Sequence, residues 1–297
     1  MSNKSFADFL HSCQQRIEQK LTVLLPEGID SSNLLHEAIR YSVLNGGKRL
    51  RPALSYATAE AVGGVTEDTD LVSMSVELMH AYSLIHDDLP SMDNDALRRN
   101  KPTCHIVFGE AIAILAGDAL QAMAFEQLTK FDKVPPKTSL QLITCLAKAA
   151  GADGMVKGQV IDISSINQTL TLEELELMHH KKTGAMIHAS IMMSALSTGL
   201  ASPSQLTALN AYGLSIGLAF QVQDDILDVV GDTKAIGKIA GADEALKKAT
   251  YVQLLGLDGA REKATQLHAS AISALSVFDE NAQYLREVAD YIISRKH

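Results

Sequence analysis

Apolar residues recur three and four positions apart through most of this chain, and strictly alternating runs of β-branched residues are absent. That pattern builds amphipathic helices rather than sheets, so the expected fold class is all-α. Some helix starts are legible. Thr171 followed by Glu174 forms a capping box, and Ser202-Pro203 with Gln205 combines an N-cap, a first-turn proline and a return hydrogen bond. The spacing predicts helices near 4–24, 31–44, 51–63, 69–88, 105–131, 138–150, 153–163, 171–199, 203–229, 250–277 and 281–295. Helices this long, rich in Ala, Leu, Ile and Met and joined by short connections, predict a large bundle around a central cavity. With 297 residues, 46% of them apolar, there is material for a sizeable core. No Pro/Gly/Ser-rich linker, charge block or low-complexity tract divides the chain, so a single domain over 1–297 is expected.

The formal charge of −9 argues against a nucleic-acid surface, which normally carries a basic excess. It does not exclude an acidic ligand, because bound cations and a few placed Lys and Arg govern the local potential. Cys13, Cys104 and Cys145 form no C-x-x-C pair and are odd in number, against both a disulfide framework and a zinc site. The N-terminal apolar residues Phe6, Phe9, Leu10, Ile17 and Leu21 are spaced as in a helix and lack the apolar block of a signal peptide. The most apolar run, 111–117, is too short to span a bilayer. A cytoplasmic protein without stable membrane insertion is expected.

Two aspartate clusters stand out, Asp87-Asp88-Leu89-Pro90-Ser91-Met92-Asp93 and Asp224-Asp225-Ile226-Leu227-Asp228. Either alone reads as a solvated turn; together, at the C-terminal ends of predicted helices, they call for a cation, because a carboxylate there faces the negative end of the helix dipole. Oxygen-only ligands fit a hard ion, and Mg²⁺ commonly shares such carboxylates with phosphates. Pro90 cannot continue a helix, so the first cluster is expected to wrap back and bring Asp93 towards Asp87 and Asp88. Asp224 and Asp228 already share a face. A calcium loop is set aside, since Asp93-Asn94-Asp95 lacks the glycine and distal glutamate it needs.

Basic residues complete the pattern. Gly46-Gly47-Lys48-Arg49-Leu50-Arg51-Pro52 puts three cations after two glycines that let backbone approach an anion, though a basic turn after a helix has the same appearance. Arg98-Arg99 comes after the first cluster, either as a salt bridge to Asp93 or Asp95 or as a diphosphate clamp. His80 lies two helical turns before Asp87, on nearly the same face.

With Lys182-Thr183-Gly184, Phe220-Gln221-Val222-Gln223 leading into the second cluster, and Gly237-Lys238 succeeded by Gly241 and Asp243, the chain from Tyr41 onward resembles the trans-isoprenyl diphosphate synthases, most closely their bacterial fifteen-carbon branch. The resemblance implies head-to-tail condensation. An allylic diphosphate (dimethylallyl or geranyl diphosphate) ionises, isopentenyl diphosphate attacks the carbocation, and loss of a proton to the departing pyrophosphate completes the product. It also implies three Mg²⁺ ions on Asp87, Asp88, Asp93, Asp224 and Asp228, with Asp225 the lesser candidate. Lys48, Arg51, His80 and Arg99 would bind isopentenyl diphosphate. Arg98, Lys182 and Lys238 would hold the allylic diphosphate, and Thr183 and Gln221 would line the reacting centre. A homodimer is implied as well.

In similar synthases the residues four and five positions before the first motif, here Ser83 and Tyr82, form the wall that stops the growing tail. By helical rise Tyr82 lies about 7.5 Å down the axis from Asp87. Its bulk, with Leu89-Pro90 inserted in the motif, implies farnesyl diphosphate as product, with a geranylgeranyl diphosphate synthase as the alternative. The chain departs from the family pattern at Ala96, Asn100 and Lys247, none of them an expected ligand. A terpene cyclase would replace the second motif and lack the Lys48/Arg51 clamp. A non-catalytic regulatory subunit would have no use for intact aspartates. Arg295-Lys296 reads as a solvated tail.

Overall fold

The computed structural model of the chain describes residues 5–27, 33–230 and 249–295. Local sequence decides where most helices begin. Ser5 accepts the Asp8 N–H to start α1 (Phe6–Leu24), and Asn33 accepts from His36 to start α2 (Leu34–Val43). The next two, α3 (Leu50–Val62) and α4 (Glu67–Asp87), are joined by a turn in which Thr66 and Thr69 cap reciprocally. A short antiparallel ribbon comes next, β1 (Leu97–Arg98) with β2 (Lys101–Pro102). Its turn residues Arg99 and Asn100 have φ of 53° and 61°, both left-handed, the signature of a type I′ hairpin; asparagine tolerates this conformation. The rest is helical: α5 (Cys104–Phe108), α6 (Glu110–Gln127), α7 (Pro136–Ala150), α8 (Met155–Ser164), α9 (Leu172–His179), α10 (Ala185–Thr198), α11 (Pro203–Val230), α12 (Tyr251–Ala274) and α13 (Gln283–Ser294).

Three predicted helices are corrected. The 105–131 helix is divided at Gly109, whose φ of 84° lies outside the helical region, and α6 ends at Gln127. The 171–199 helix contains a π-helical turn over His180–Gly184, between α9 and α10. The 250–277 helix kinks at Gly256 (φ 71°) and finishes in a 3₁₀ turn, Leu275–Val277. In the first and third, glycine relieves the steric bar to positive φ, and apolar periodicity does not register such a break. The capping box at Thr171 and the Ser202–Gln205 return bond are both present.

Helix α10 sits at the centre, packed against α3, α4, α7 and α11, and none of its residues is exposed. It approaches α3 closely because the contact is made by serines. Ser55 Oγ donates to the Ser190 carbonyl at 3.1 Å, and Ser194 Oγ donates back to the Ser55 carbonyl at 2.5 Å. A second, smaller apolar cluster (Leu175, Met178, Leu218, Val222, Ile226 and Tyr251) lies under the second aspartate motif. Among the described residues no helix is long and apolar enough to cross a membrane, and none of the three cysteines forms a disulfide.

Arg49, between the two cations expected to bind substrate, turns the other way. Its φ of 49° points the side chain inward, where Nη1 donates to Glu77 at 2.7 Å and Nη2 to the Val43 carbonyl at 2.7 Å. Both side chains of the ion pair are buried, 2% and 3% exposed. Removing one charge strands the other in a dry site, a loss of about 3–5 kcal/mol. Glu77→Gln is therefore expected to lower the unfolding free energy from urea titration by that margin; a change below ~1 kcal/mol would remove the ion pair as an anchor of α3 to α4.

Candidate active site

At the end of α4, Pro90 stops the helix and the chain curls back: the Asp93 N–H donates to the Asp87 carbonyl at 2.9 Å, and the Asn94 N–H to the Leu89 carbonyl at 3.1 Å. This is the expected wrap, and it sets three carboxylates of like charge around a helix C-terminus. The consequence shows at Asp87, whose carboxyl is pushed up to about 6 first by burial and further by Asp93 and Asp88, although Lys182 and Arg98 oppose the shift. Asp88 is gripped by Arg98 through Nε at 2.8 Å and Nη2 at 2.6 Å. Of the two roles open to Arg98, the charge-balancing one is visible, with Asp88 as the main partner and Asp95 farther off at 3.8 Å.

The π turn aims Lys182 and Thr183 at this site. Such a turn inserts one residue into the helical ladder and rotates the residues beyond it. It is backed by α8 at Gly158, where an added Cβ would lie 2.1 Å from the Lys182 nitrogen. Lys182 Nζ donates to Asp162 Oδ2 at 2.5 Å, and Thr183 Oγ1 donates to Gln221 Oε1 at 3.0 Å. Gln221 in turn reaches Asp225 Oδ1 at 3.4 Å. Asp225 itself is 2% exposed, and its Oδ2 accepts the Tyr251 N–H at 2.8 Å. A carboxylate at the N-terminus of α12 is favoured by the dipole. Asp225 thus ties α11 to α12.

Opposite the carboxylates lies a group of cations. Lys48, Arg51 and Arg99 are all shifted down, each first by burial; Arg99 further lowers Arg51, while nearby Asp224 opposes the shift at Lys48 and Arg51. His80, among Arg51, Arg99, Arg98 and Arg49, is held well below the ordinary imidazole range by burial and then by those charges, so it is neutral at pH 7. Arg51 Nε has no hydrogen-bond acceptor among the described residues. Arg99 donates to the Gly46 carbonyl, and its guanidinium lies where a Gly47 Cβ would be, 2.6 Å from Cζ. That close approach explains Gly47, while a φ of 72° explains Gly46. A cation cluster buried in this way is a preformed anion site.

Arg295 is not a solvated tail. It is 8% exposed, donates to Asp224 Oδ1 at 2.6 Å and to the Phe220 carbonyl at 2.9 Å, and stacks on the Phe220 ring at 4.2 Å. The aromatic face and the carboxylate both reward a guanidinium, and helix α13 delivers it there. Asp228 lies one turn beyond Asp224 on α11. Tyr82 is 8% exposed, and Ser83 donates to the His80 carbonyl at 2.9 Å. Lys238, with Gly237, Gly241, Asp243 and Lys247, lies outside the described residues. Among the described residues no three acidic, His or Cys side chains are grouped so as to hold an ion alone. Magnesium does not require it, since it normally takes one or two carboxylates and completes its shell with water and phosphate.

The polyprenyl synthetase family profile matches residues 32–288. The chain belongs to the polyprenyl synthetase family. It is 48% identical over 293 residues to the farnesyl diphosphate synthase of Haemophilus influenzae, covering 98% of this chain and 99% of that one. It is 46% identical over 295 residues to the farnesyl diphosphate synthase of Escherichia coli, covering 98% and 99%. Among solved structures, geranylgeranyl pyrophosphate synthetase from Pyrococcus horikoshii superposes with a TM-score of 0.89 at 30% identity, covering 98% of this chain and 100% of that one. The all-α fold of this polyprenyl synthetase is thus that of its relatives.

Sequence reasoning did not single out Asp162, His179, Tyr251 or Arg295 as neighbours of the site. Asp162 and His179, with Lys182, Gln221, Asp225 and Thr250, line a cavity of about 80 Å³. His179 is 6% exposed, stacks on Tyr251 at 5.5 Å, and is pulled down to about 3, chiefly by burial. Its separation of 4.0 Å from Asp225 Oδ2 is too long for a hydrogen bond, and a neutral ring makes no ion pair. Below pH 6.5 the unfolded chain takes up a proton here that the folded chain refuses until about 3, so stability is complete above 6.5 and is lost as pH falls towards 3. His179→Gln, which cannot titrate, is expected to flatten the fall in stability between pH 6 and 4 in acid-unfolding curves; an unchanged slope would contradict a buried neutral His179.

Proposed function

We propose that this polyprenyl synthetase is a farnesyl diphosphate synthase, a prenyltransferase joining isopentenyl diphosphate to dimethylallyl and then geranyl diphosphate. The observation that carries the reading is the pairing of a crowded carboxylate group with a buried cation group in one electrostatic neighbourhood: Asp87 feels Lys182, and Asp224 is felt by Lys48 and Arg51. That arrangement accepts two diphosphates of different metal dependence. Full-length similarity to farnesyl diphosphate synthases supports the same conclusion.

Asp87 is raised first by burial and further by Asp93 and Asp88 against the opposing pull of Lys182 and Arg98, and a divalent cation fits such a crowded carboxylate group. Asp87, Asp88, Asp93, Asp224 and Asp228 would hold Mg²⁺, with three ions per site expected. An ion held there would stabilise the negative charge that builds on the allylic diphosphate as its carbon–oxygen bond breaks. For the protein's own part, Lys182 and Arg98 draw charge from the same leaving group, each already placed by a carboxylate, and Lys238 would join them. Lys48, Arg51 and Arg99 clamp isopentenyl diphosphate, and neutral His80 contributes a hydrogen bond without adding to the charge of the cluster. Thr183 and Gln221, locked to one another, present polar oxygens to the cationic carbon. The proton lost at the end passes to the departing diphosphate.

Tyr82 closes the tail end of the site. Incubation of the purified chain with Mg²⁺, isopentenyl diphosphate and geranyl diphosphate is expected to give a dominant fifteen-carbon diphosphate, abolished by chelation. Tyr82→Ala is expected to shift it towards twenty carbons. A twenty-carbon product from the unaltered chain would move the assignment to a geranylgeranyl diphosphate synthase, and no condensation would overturn it.

The functional unit is proposed to be a homodimer. Outward Ile114 and Leu115 of α6, with Ile106 and Val107 of α5, stand 42–55% exposed in the single chain. Large apolar side chains exposed on neighbouring helices are what a second copy covers. Leu115→Arg is expected to convert the dimer to a monomer in sedimentation velocity; an unaltered sedimentation coefficient would place the interface elsewhere.

A further inference from the structure

The wall residue does not hold itself in place. Tyr82 and His86 lie one turn apart on α4, facing α6, and their rings meet edge to face with centroids 5.1 Å apart and planes at 83°. On its other side His86 is pressed onto the backbone of α6. Its Nε2 lies 3.1 Å from the Ile114 carbonyl, and because a carbonyl only accepts, that nitrogen carries the proton. The space the ring occupies exists because residue 117 is glycine: a Cβ there would lie 2.1 Å from Nε2 and 2.4 Å from Cδ2. Gly117 is helical and needs no unusual backbone angle, so the glycine serves the ring and not the fold.

We propose that His86, seated on Gly117 and the Ile114 carbonyl, is the positioning residue that sets the height of the Tyr82 ring and thereby the length at which chain growth stops. The proposal rests on the reading of Tyr82 as the floor of the prenyl site. Without the imidazole, the Tyr82 ring gains room to lean towards α6 and the floor drops. With a methyl group at position 117, the imidazole must swing off α6 into the Tyr82 ring, and the floor rises. Chain-length selection is thus controlled from the α6 backbone, through a side chain that does not itself touch the tail. The same stretch of α6 carries the outward Ile114, so pairing of two chains and the height of the floor share one helix.

Opposite shifts from the two sides make the test decisive. Products of the unaltered chain, His86→Ala, His86→Gln, Gly117→Ala and Tyr82→Ala are separated by carbon number after incubation with Mg²⁺, isopentenyl diphosphate and dimethylallyl diphosphate. His86→Ala is expected to raise the ratio of twenty- to fifteen-carbon product about tenfold, the discrimination that a change of roughly one methylene or more in an apolar pocket supplies. Glutamine keeps an N–H at the reach of Nε2, so His86→Gln is expected to restore most of the original ratio. Gly117→Ala is expected to move product the other way, towards ten carbons. Because His86 adjoins Asp87, the overall rate of its variants is not the readout; the length ratio is. If Tyr82→Ala lengthens the product while His86→Ala and Gly117→Ala leave the ratio unchanged, the positioning role is refuted and the floor survives. If Tyr82→Ala has no effect, or the unaltered chain condenses nothing, the reading beneath the proposal fails instead.

Discussion

Like charges crowd the middle of this molecule, and the helical frame exists to keep them there. Carboxylates at the end of α4 face the wrong end of a helix dipole, and the cations between α2 and α4 are stripped of water. Left to themselves the two groups would neutralise one another and close the site. Each instead has a local partner: Asp88 has Arg98, Asp224 has Arg295, Lys182 has Asp162, and Arg49 has Glu77. These local pairs leave the larger separation intact, and that separation is what lets two polyanions be held side by side.

The frame has to be stiff for this to work. Burial of α10 on every side and the serine-mediated approach of α3 fix the helices that carry Lys182 and Arg51 relative to one another. The two aspartates of the second motif illustrate how position changes meaning. Asp224 is exposed enough to take a ligand and is held by a side chain, whereas Asp225, its neighbour, is spent on the first turn of α12. One carboxylate is taken up by a helix start, the other by a guanidinium from the far end of the chain.

The all-α class and most helix positions were legible because they arise from short-range rules: apolar period, capping chemistry, proline as a stop. The wrap that returns Asp93 to Asp87 was legible for the same reason. The π turn at His180–Gly184 was not, since an extra residue in a helix changes no local propensity and is stabilised by α8 packing at Gly158. Nor was the role of Arg49, which shares its chemistry with Lys48 and Arg51 and is told apart only by a left-handed φ and a distant Glu77. Arg295 and Tyr251 join the site over separations of 71 and 26 residues, beyond what periodicity or motif spacing encodes.

Arg295 makes the end of the last described helix a reporter on the second aspartate motif. Its guanidinium lies between the Phe220 ring and Asp224, and its carbonyl accepts from Gln223 at 3.3 Å, so the backbone here is moored as well as the side chain. An event that draws Asp224 away from that guanidinium therefore loosens the end of α13 too, and is felt 71 residues away along the chain.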